Sequence, residues 1–410
     1  MLRNNGSTAD SNGGGELTHA PGRILLARAL RDFGDGFVAI LLPIYLIELG
    51  HTALEIGVIA TSALLGSALL TLLVGVVGAR RDRRSLLLAA SLVMVASGVA
   101  YAAADDYAVL LVVAFVGTIN PSAGSASIFV PLEHTVLSHA VAPRARTRAF
   151  ALYSLVGALA GAIGSLAAAT PAWLATFGVE RLGALKVMFL AYAALGAMGA
   201  VVYRGLRPQP SGADRVRAPL GVSRGIVFKL AALFSIDAFA GGFVVQSLLA
   251  LWLFERFDLS LEVASVIFFW TGVFAALSFP AAAWLASRIG LVNTMVFTHI
   301  PASLCLLGAA FAPTLETAIA LLICRAVLGQ MDVPARSSYV MAVVTPVERP
   351  AAASVTAVPR SLAAAMSPVL AGALFAAGLQ TWPLLLCGAL KIANDLLLLA
   401  AFRKLRPPEE

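Results

Sequence analysis

The stretch "VPLEHTVLSHAVAPRAR" at residues 130–146 has a second copy, "VPARSSYVMAVVTPVER" at residues 333–349, at a constant offset of 203 residues. The two copies share the initial Val-Pro pair, a later proline and the final arginine. Two shorter matches occur in the same order along the chain: "FGDGFV" at 33–38 with "FAGGFV" at 239–244, and "ALEIGVI" at 53–59 with "SLEVASVI" at 260–267. Matches of this kind indicate that one structural unit occurs twice.

The composition places both copies in a membrane. Of the 410 residues, 60% are hydrophobic and only 12% are charged, which is more apolar than a soluble domain. Twelve apolar stretches are long enough to cross a bilayer of roughly 30 Å as helices: 24–49, 54–78, 85–104, 107–138, 148–170, 183–203, 224–252, 260–287, 291–312, 316–342, 352–377 and 382–402. The sequence therefore predicts an all-α membrane protein with 12 transmembrane helices as two six-helix pseudo-repeats.

The polar stretches between these spans give the domain organisation. The segment "RGLRPQPSGADRVRAPLGVSR" follows the sixth span and is rich in Pro, Gly and Arg, as linkers between bundles are. The first residues are polar and lack the apolar core of a signal peptide, so we expect a disordered tail. The predicted units are a disordered cytoplasmic tail at 1–22, an N-terminal bundle at 23–203, a cytoplasmic linker at 204–223, a C-terminal bundle at 224–403 and a tail at 404–410.

The net charge of +7 is explained by membrane topology. Most basic residues lie in the loops after even-numbered spans and in the C-terminal tail, which by the positive-inside rule puts both termini in the cytoplasm. We therefore predict no nucleic-acid partner. The excess of arginine over lysine and the many alanines favour a bacterial cytoplasmic (inner) membrane, where we expect a monomer in contact with the lipid bilayer.

The loop after the second span carries a family resemblance. "GVVGARRDRR" at 75–84 is similar to the motif G-x-x-x-D-R-x-G-R-R of the major facilitator superfamily, whose members have twelve spans in two bundles. The resemblance implies a gating role for the loop, in which the family uses its carboxylate to hold the two bundles together. Ala79 stands where the family has that Asp, and whether Asp82 replaces it is open. The loop residues assigned to gating are Gly75, Arg80, Asp82, Arg83 and Arg84.

The first span contains four charged residues, Arg28, Arg31, Asp32 and Asp35, on about 100° of one helix face. Charged side chains inside a membrane are costly and normally face a bundle interior or a wet cavity. One interpretation is that Arg28 pairs with Asp32 and Arg31 with Asp35, each four residues apart. The other is that Asp35, and to a lesser extent Asp32, takes part in proton coupling or lines the substrate cavity.

The counterpart span in the second half carries Asp237, with Gln246 further along. Asp237 is either bound locally, for instance by Ser235, or carries a proton. In span four, Asn120 is a candidate to line the substrate cavity. Glu133 occupies the repeat position of Arg336 in span ten, which suggests a gating ion pair between the two bundles. The prolines of span four break its helix, so no helix face is assigned there.

Spans ten to twelve supply the remaining candidates. Arg325, Asp332 and Arg336 fall on one narrow stripe if span ten is a continuous helix, although Pro334 can kink it. A salt bridge between Arg325 and Asp332, or a fixed positive charge for an anion, are the alternatives for this stripe. Arg360 either satisfies carbonyls freed by Pro359 or reaches the cavity at the gate. Lys391 and Asp395 are expected to neutralise each other within span twelve, and Tyr153 to pack between helices.

The sequence indicates a transporter and excludes several other classes. It contains no G-x-x-x-x-G-K-[ST] loop for nucleotide and no metal-ligand pattern, and no nucleophile and base can be assigned, so neither a cofactor nor enzymatic activity is expected. We predict secondary active transport of a small molecule by alternating access, as proton-coupled efflux. The alternatives are proton-coupled uptake of an anionic solute, and a non-transporting receptor or scaffold on the same fold.

Overall fold

The computed structural model describes residues 20–77, 81–122, 127–142, 145–208, 220–345 and 347–403. This part of the chain forms sixteen helices: α1 Ala20–Glu48, α2 Ala53–Val77, α3 Arg83–Ala103, α4 Tyr107–Val116, α5 Phe129–Ala140, α6 Arg146–Ala167, α7 Thr170–Ala175, α8 Arg181–Arg204, α9 Arg224–Gly242, α10 Gln246–Phe257, α11 Leu261–Ile289, α12 Leu291–Ala310, α13 Leu315–Gly329, α14 Asp332–Ala342, α15 Arg349–Ala376 and α16 Trp382–Phe402. Below, "N-half" means α1–α8 and "C-half" means α9–α16.

The all-helical membrane fold predicted from the sequence is confirmed. Within the described ranges, ten stretches are long and apolar enough to cross a bilayer, and they correspond to all the predicted spans except the first and the fourth. The first span forms a continuous 29-residue helix, α1, but charged residues interrupt its apolar sequence. The fourth contributes the ten-residue apolar helix α4 and, after a break, α5.

Spans four, seven and ten are each divided into two helices. Span four ends its first helix at Gly117, and Pro121 follows in the break. Span seven is interrupted after Gly242 by a short turn. In span ten the break falls at Gln330, and Pro334 lies in the first turn of α14, where its missing N–H costs least. The stripe expected along span ten is therefore divided between two helices.

The two halves repeat their helix crossings at equivalent positions. A side chain at Gly36 of α1 would collide with the carbonyl oxygen of Gly161 on α6. The equivalent Gly242 of α9 has the same relation to the carbonyl oxygen of Ala364 on α15. In both halves the first and fifth spans thus approach so closely that only glycine fits on the first.

A second repeated contact lies at the start of the fifth span in each half. Arg146 Nε donates to the carbonyl of Ser138 at 3.1 Å, and Arg349 Nε donates to the carbonyl of Met341 at 3.0 Å. All four residues obey the offset of 203 seen in the sequence. Each arginine thus ties the start of its helix to the end of the helix before it, which explains why both copies of the repeat end in arginine.

The two halves meet at the end of the bundle away from the chain termini. Helix α2 crosses α15 where Gly57 faces Gly372, and Val369 N donates to Thr61 Oγ1 at 2.9 Å. Helix α6 meets α11 at Ala162 and Gly272. These contacts lie in the parts of the helices that are remote from the termini.

The hydrophobic core follows the same division. One cluster of buried side chains includes residues of both halves, for example Leu41 of α1 and Leu251 of α10. At the terminal end the C-half has its own cluster, which contains Phe234, Val296 and Tyr339 and, among the described residues, no N-half side chain. The two halves therefore pack against each other at one end, whereas at the terminal end the C-half has a hydrophobic core of its own.

Candidate functional site

Buried charges of the N-half are concentrated between α1, α5 and α6. Arg31 Nη1 lies 2.9 Å from Glu133 Oε2, and both side chains are almost completely buried. Two tyrosines donate to the same carboxylate, Tyr153 to Oε2 at 2.5 Å and Tyr203 to Oε1 at 2.6 Å. The guanidinium also lies 4.7 Å from the centre of the Phe129 ring. Glu133 is thus fully engaged as an anion inside its own half.

The other charges of α1 pair only partly as the sequence suggested. Arg28 Nε lies 2.7 Å from Asp32 Oδ2, which confirms the first of the two predicted pairs. The second was wrong, because Arg31 binds Glu133 and lies 3.4 Å from Asp32, while no ion pair joins it to Asp35. Spacing along α1 could not reveal that a carboxylate from α5 reaches Arg31.

Asp35 is held differently from the other carboxylates. Its side chain is 1% exposed, and Oδ1 accepts a hydrogen bond from Tyr192 Oη at 3.2 Å. The Tyr192 hydroxyl in turn lies 3.2 Å from Thr118 Oγ1. Among the described side chains, no basic group lies within ion-pair distance of Asp35. A neutral hydroxyl network can serve either protonation state of such a carboxylate.

The C-half has a larger charged cluster between α9, α12, α14 and α16. Asp237 Oδ2 lies 3.1 Å from Arg336 Nη1, and Oδ1 lies 2.7 Å from Lys391 Nζ. Arg336 Nη2 also lies 3.4 Å from Asp332 Oδ2. The predicted local bond from Ser235 is wrong, because that hydroxyl donates to the carbonyl of Ala231. Asp237 is instead bound by two cations from other helices.

The cluster continues to a histidine that the sequence reading missed. Lys391 Nζ lies 3.2 Å from His299 Nε2, and His299 Nδ1 lies 3.0 Å from Asp395 Oδ2. These partners assign the imidazole proton to Nδ1, with Nε2 accepting from the lysine. Lys391 and Asp395 therefore do not neutralise each other as expected. The available signal was His299 itself, a titratable residue in the middle of the apolar span nine.

The predicted ion pair between the two bundles, Glu133 with Arg336, is wrong. Each residue pairs within its own half, Glu133 with Arg31 and Arg336 with Asp237. Applying the repeat offsets shows that the two pairs occupy equivalent positions: Arg31 corresponds to Asp237, and Glu133 to Arg336. The same inter-helix ion pair is therefore present twice, with its charges reversed.

Arg360 and Arg325 differ from the other intramembrane arginines. Within the described part of the chain neither makes an ion pair, and the buried Nε of Arg360 has no hydrogen-bond partner. Arg360 lies near a second cation, Arg336, whereas Arg325 lies near the thiol of Cys387 on α16. The alternative salt bridge between Arg325 and Asp332 is thus wrong, since Asp332 binds Arg336.

Asn120 and Gln246 lie at the breaks of spans four and seven. Asn120 is buried, and its Oδ1 accepts from the backbone N–H of Ser122 at 2.8 Å. Gln246 is the first residue of α10 and partly exposed. The neighbouring Ser247 N donates to the carbonyl of Pro121 at 3.0 Å. The two breaks are thus joined across the interface between the halves.

The loop after the second span, at 75–84, is only partly described, because Arg80 lies outside the described residues. Asp82 caps α3, accepting from the Ser85 N–H and hydroxyl at 3.1 Å each. Gly75 belongs to the last turn of α2, and Arg83 and Arg84 to the first turn of α3. Asp82 therefore has a clear local role as a helix cap.

The described residues contain no cluster of His, Cys, Asp and Glu side chains suited to a metal ion. What they contain is an all-helical membrane fold in two pseudo-repeats, with a cluster of buried charges between the helices of each half. This combination defines a membrane transporter of the two-bundle type. A model of the Major Facilitator Superfamily matches residues 24–331 and 231–410, so the chain belongs to that superfamily.

Several known proteins are similar over nearly the whole chain. An uncharacterized membrane protein of Saccharomyces cerevisiae, YJR124C, is 21% identical over 91% of this chain and 92% of its own length. Among solved structures, a bacterial homolog of the human lysosomal transporter Spinster has a TM-score of 0.74 at 16% identity, covering 95% of this chain and 98% of its own.

Two further structures have the same fold. The nucleoside transporter NupG has a TM-score of 0.71 at 15% identity, covering 94% of this chain and 99% of its own. The human organic anion transporter MFSD10 has a TM-score of 0.66 at 16% identity, covering 93% and 99%. These two proteins differ in their named substrates. The similarity therefore establishes the fold but does not identify the substrate of this protein.

Proposed function

We propose that this protein is a proton-coupled secondary transporter in which Asp35 is the carboxylate that gains and loses the proton. The observation that carries the proposal is the isolation of Asp35: it is buried, it is bonded by the Tyr192 hydroxyl, and no described cation pairs with it. A coupling carboxylate must change charge during the cycle. Asp35 can do so without breaking an ion pair.

The other buried carboxylates fit this role less well. Protonating Asp237 would remove the anion that binds Lys391 and would leave Arg336 with Asp332 alone. Protonating Glu133 would likewise remove the nearer anion of Arg31 and leave it with Asp32 alone. Leaving a buried charge unpaired costs about 3–5 kcal/mol, which strongly opposes such a step. We therefore assign Asp237, Glu133 and Asp32 to holding each half together, although the sequence had suggested a coupling role for Asp237 and Asp32.

The arrangement of the halves supports alternating access. They are packed together at the end remote from the termini, through Gly57 and Gly372 among others, and have separate cores at the terminal end. With both termini in the cytoplasm, as the basic loops predict, this is a state closed to the outside. If these small-residue contacts separate and the halves rotate about a central site, the protein opens to the outside.

Export is the proposed direction, on the basis of the efflux-like loop at 75–84 and the mostly apolar spans. Uptake of an anionic solute with protons is the second candidate, favoured by the unpaired guanidinium of Arg360. The proposal places the protein in a bacterial cytoplasmic membrane as a monomer, with the N- and C-halves as its two moving bundles. Neither function requires a cofactor.

The test uses purified protein in two steps. Compounds that raise its melting temperature in a library screen are first identified as ligands, since a ligand of the folded state raises apparent stability. Each ligand is then added to proteoliposomes that contain a pH-sensitive dye. Ligand-stimulated proton movement supports the proposal, and its sign relative to substrate movement separates export from uptake. Binding without any ligand-stimulated proton movement would favour a receptor or an uncoupled carrier instead.

A further inference from the structure

Arg360 is a cation for which the described protein provides no partner. It lies on α15, nearer the terminal end than the contact between α15 and α2 at Gly372, and is partly exposed. Its Nε is buried without a hydrogen-bond partner, and its strongest electrostatic neighbour is another cation, Arg336. An arginine in such surroundings is costly unless something else supplies an anion.

The repeat shows how the N-half avoids this situation. The position equivalent to Arg360 is Gly157 on α6, and a side chain there would collide with the paired groups of Arg28 and Asp32. In the C-half the residues equivalent to that pair are Phe234 and Ala238. The fifth span of the C-half therefore contributes a guanidinium at a position where the first span lacks the carboxylate that Asp32 provides in the N-half.

The nearby carboxylates of the C-half are already bound. Asp237 is held by Arg336 and Lys391, and Asp332 by Arg336. Asp395 is bound by His299. None of these carboxylates lies within ion-pair distance of Arg360.

We infer that Arg360 binds an anionic group of the transported molecule, a carboxylate, sulfonate or phosphate on an otherwise apolar body. The planar guanidinium matches such oxyanions with two parallel hydrogen bonds. By the repeat, Phe234 and Ala238 occupy the positions that Arg28 and Asp32 have in the N-half, and both are apolar, which suits the rest of the molecule. This inference rests on the proposed function in assuming that a small molecule is carried, but it does not depend on proton coupling.

The test measures melting temperatures of purified protein in detergent with matched pairs of compounds. Benzenesulfonate is compared with the neutral isostere benzenesulfonamide, and benzoate with benzamide; phenyl phosphate is the third anion. At least one anion should raise the melting temperature where its neutral counterpart does not. In Arg360→Gln the apparent affinity for that anion should fall roughly ten- to hundredfold. Arg360→Lys should keep part of it, and the surface variant Arg288→Gln all of it.

A second variant guards against simple misfolding. Ala238→Asp supplies, at the equivalent position of the repeat, the carboxylate that the N-half has at Asp32. We expect this variant to melt at a higher temperature than the wild type without ligand, and to lose the stabilisation by the anion. Loss of binding in a more stable protein cannot come from unfolding.

The inference is overturned if no anion stabilises the wild type more than its neutral isostere, or if Arg360→Gln binds the anions like the wild type. It is also overturned if Ala238→Asp keeps full anion binding. Because binding in detergent needs no gradient, a failure here leaves the proton-coupling proposal standing. Conversely, anion binding at Arg360 with no ligand-stimulated proton movement would reject only the coupling.

Discussion

The two halves place an ion pair at the same position but with opposite charges. In the N-half the first span contributes the cation Arg31 and the fourth span the anion Glu133; in the C-half the first span contributes the anion Asp237 and the fourth span the cation Arg336. The separations are nearly equal, 2.9 and 3.1 Å. The repeat therefore preserves where the helices are joined and not which helix carries which charge.

The neighbours of each pair determine its polarity. In the N-half the anion must lie on span four, where the hydroxyls of Tyr153 and Tyr203 can donate to it. In the C-half the anion must lie on span seven, where Lys391 reaches it. An ion pair in a low-dielectric interior is stable only when its remaining hydrogen-bonding capacity is also satisfied. Exchanging the two charges of a pair without changing the neighbouring side chains should therefore destabilise the protein.

The largest expected effect concerns Asp35, which has no charged counterpart in the C-half, where Gly241 is equivalent. In Asp35→Asn, transport driven by a pH gradient in proteoliposomes should be abolished, while substrate binding and exchange persist, since asparagine has nearly the same size but cannot ionise. Asp105→Asn, a change at an exposed carboxylate, is the matched control and should transport normally. Gradient-driven transport at wild-type rate in Asp35→Asn would show that the isolated carboxylate is not the coupling group.

The next effect tests the polarity of the C-half pair directly. Arg336→Ala should destabilise the protein by about 3–5 kcal/mol, because it leaves a buried carboxylate short of a cation. The double exchange Asp237→Arg with Arg336→Asp should not recover this loss, since the new arginine would face Lys391. Adding Lys391→Glu to the exchange should recover much of it. The measurement is the melting temperature of each purified variant, and full recovery by the double exchange alone would contradict the role given to Lys391.

A smaller loss of stability, of equal size in the two halves, is expected at the repeated crossing of the first and fifth spans. Gly36→Ala and Gly242→Ala each push a methyl group against a carbonyl of the facing helix, which should cost about 1–3 kcal/mol. Gly225→Ala on α9 meets open space and should be neutral or slightly stabilising. Thermal unfolding of the three variants checks this. Markedly unequal losses at Gly36 and Gly242 would mean that the crossings are not equivalent.

The smallest effect concerns Glu348, just before α15, which has only Ala145 as its counterpart. Hydrogen bonds from the Ser223 side chain, the Gly221 N–H and Thr345 hold the pKa of this carboxyl below its usual range. A lowered pKa means that the contribution to stability is present above the usual glutamate pKa and is lost as the pH falls through the lowered value. The melting temperature of Glu348→Gln should thus lie slightly below that of the wild type at pH 7.

The difference between Glu348→Gln and the wild type should shrink as the pH is lowered past the titration of Glu348. Ala145→Glu provides a comparison at the equivalent position of the N-half and should be neutral. A constant difference at all pH values would show that the loss comes from packing and not from the charge of Glu348.

Several site residues could be found from the sequence because each is unusual where it stands. Asp35 and Asp237 are charges in apolar spans, and the cost of burying them is enough to predict a role. The pair of Arg28 with Asp32 followed from helical spacing alone. The partners of Arg31 and Lys391 could not be found in this way, because they come from helices distant in sequence, and spacing along one helix carries no information about them.

By itself, the sequence determined the membrane, the helical fold and the internal repeat. Hydrophobic length and the position of basic residues are local properties of the chain, and a repeated segment builds a repeated helix crossing. Only the tertiary structure decided which charges are neutralised and which are left over: among the described side chains, Asp35 has no cation and Arg360 no anion within ion-pair distance. The reason is that in a low-dielectric interior the state of each charge depends on what lies within a few ångströms of it, and packing between helices sets those distances.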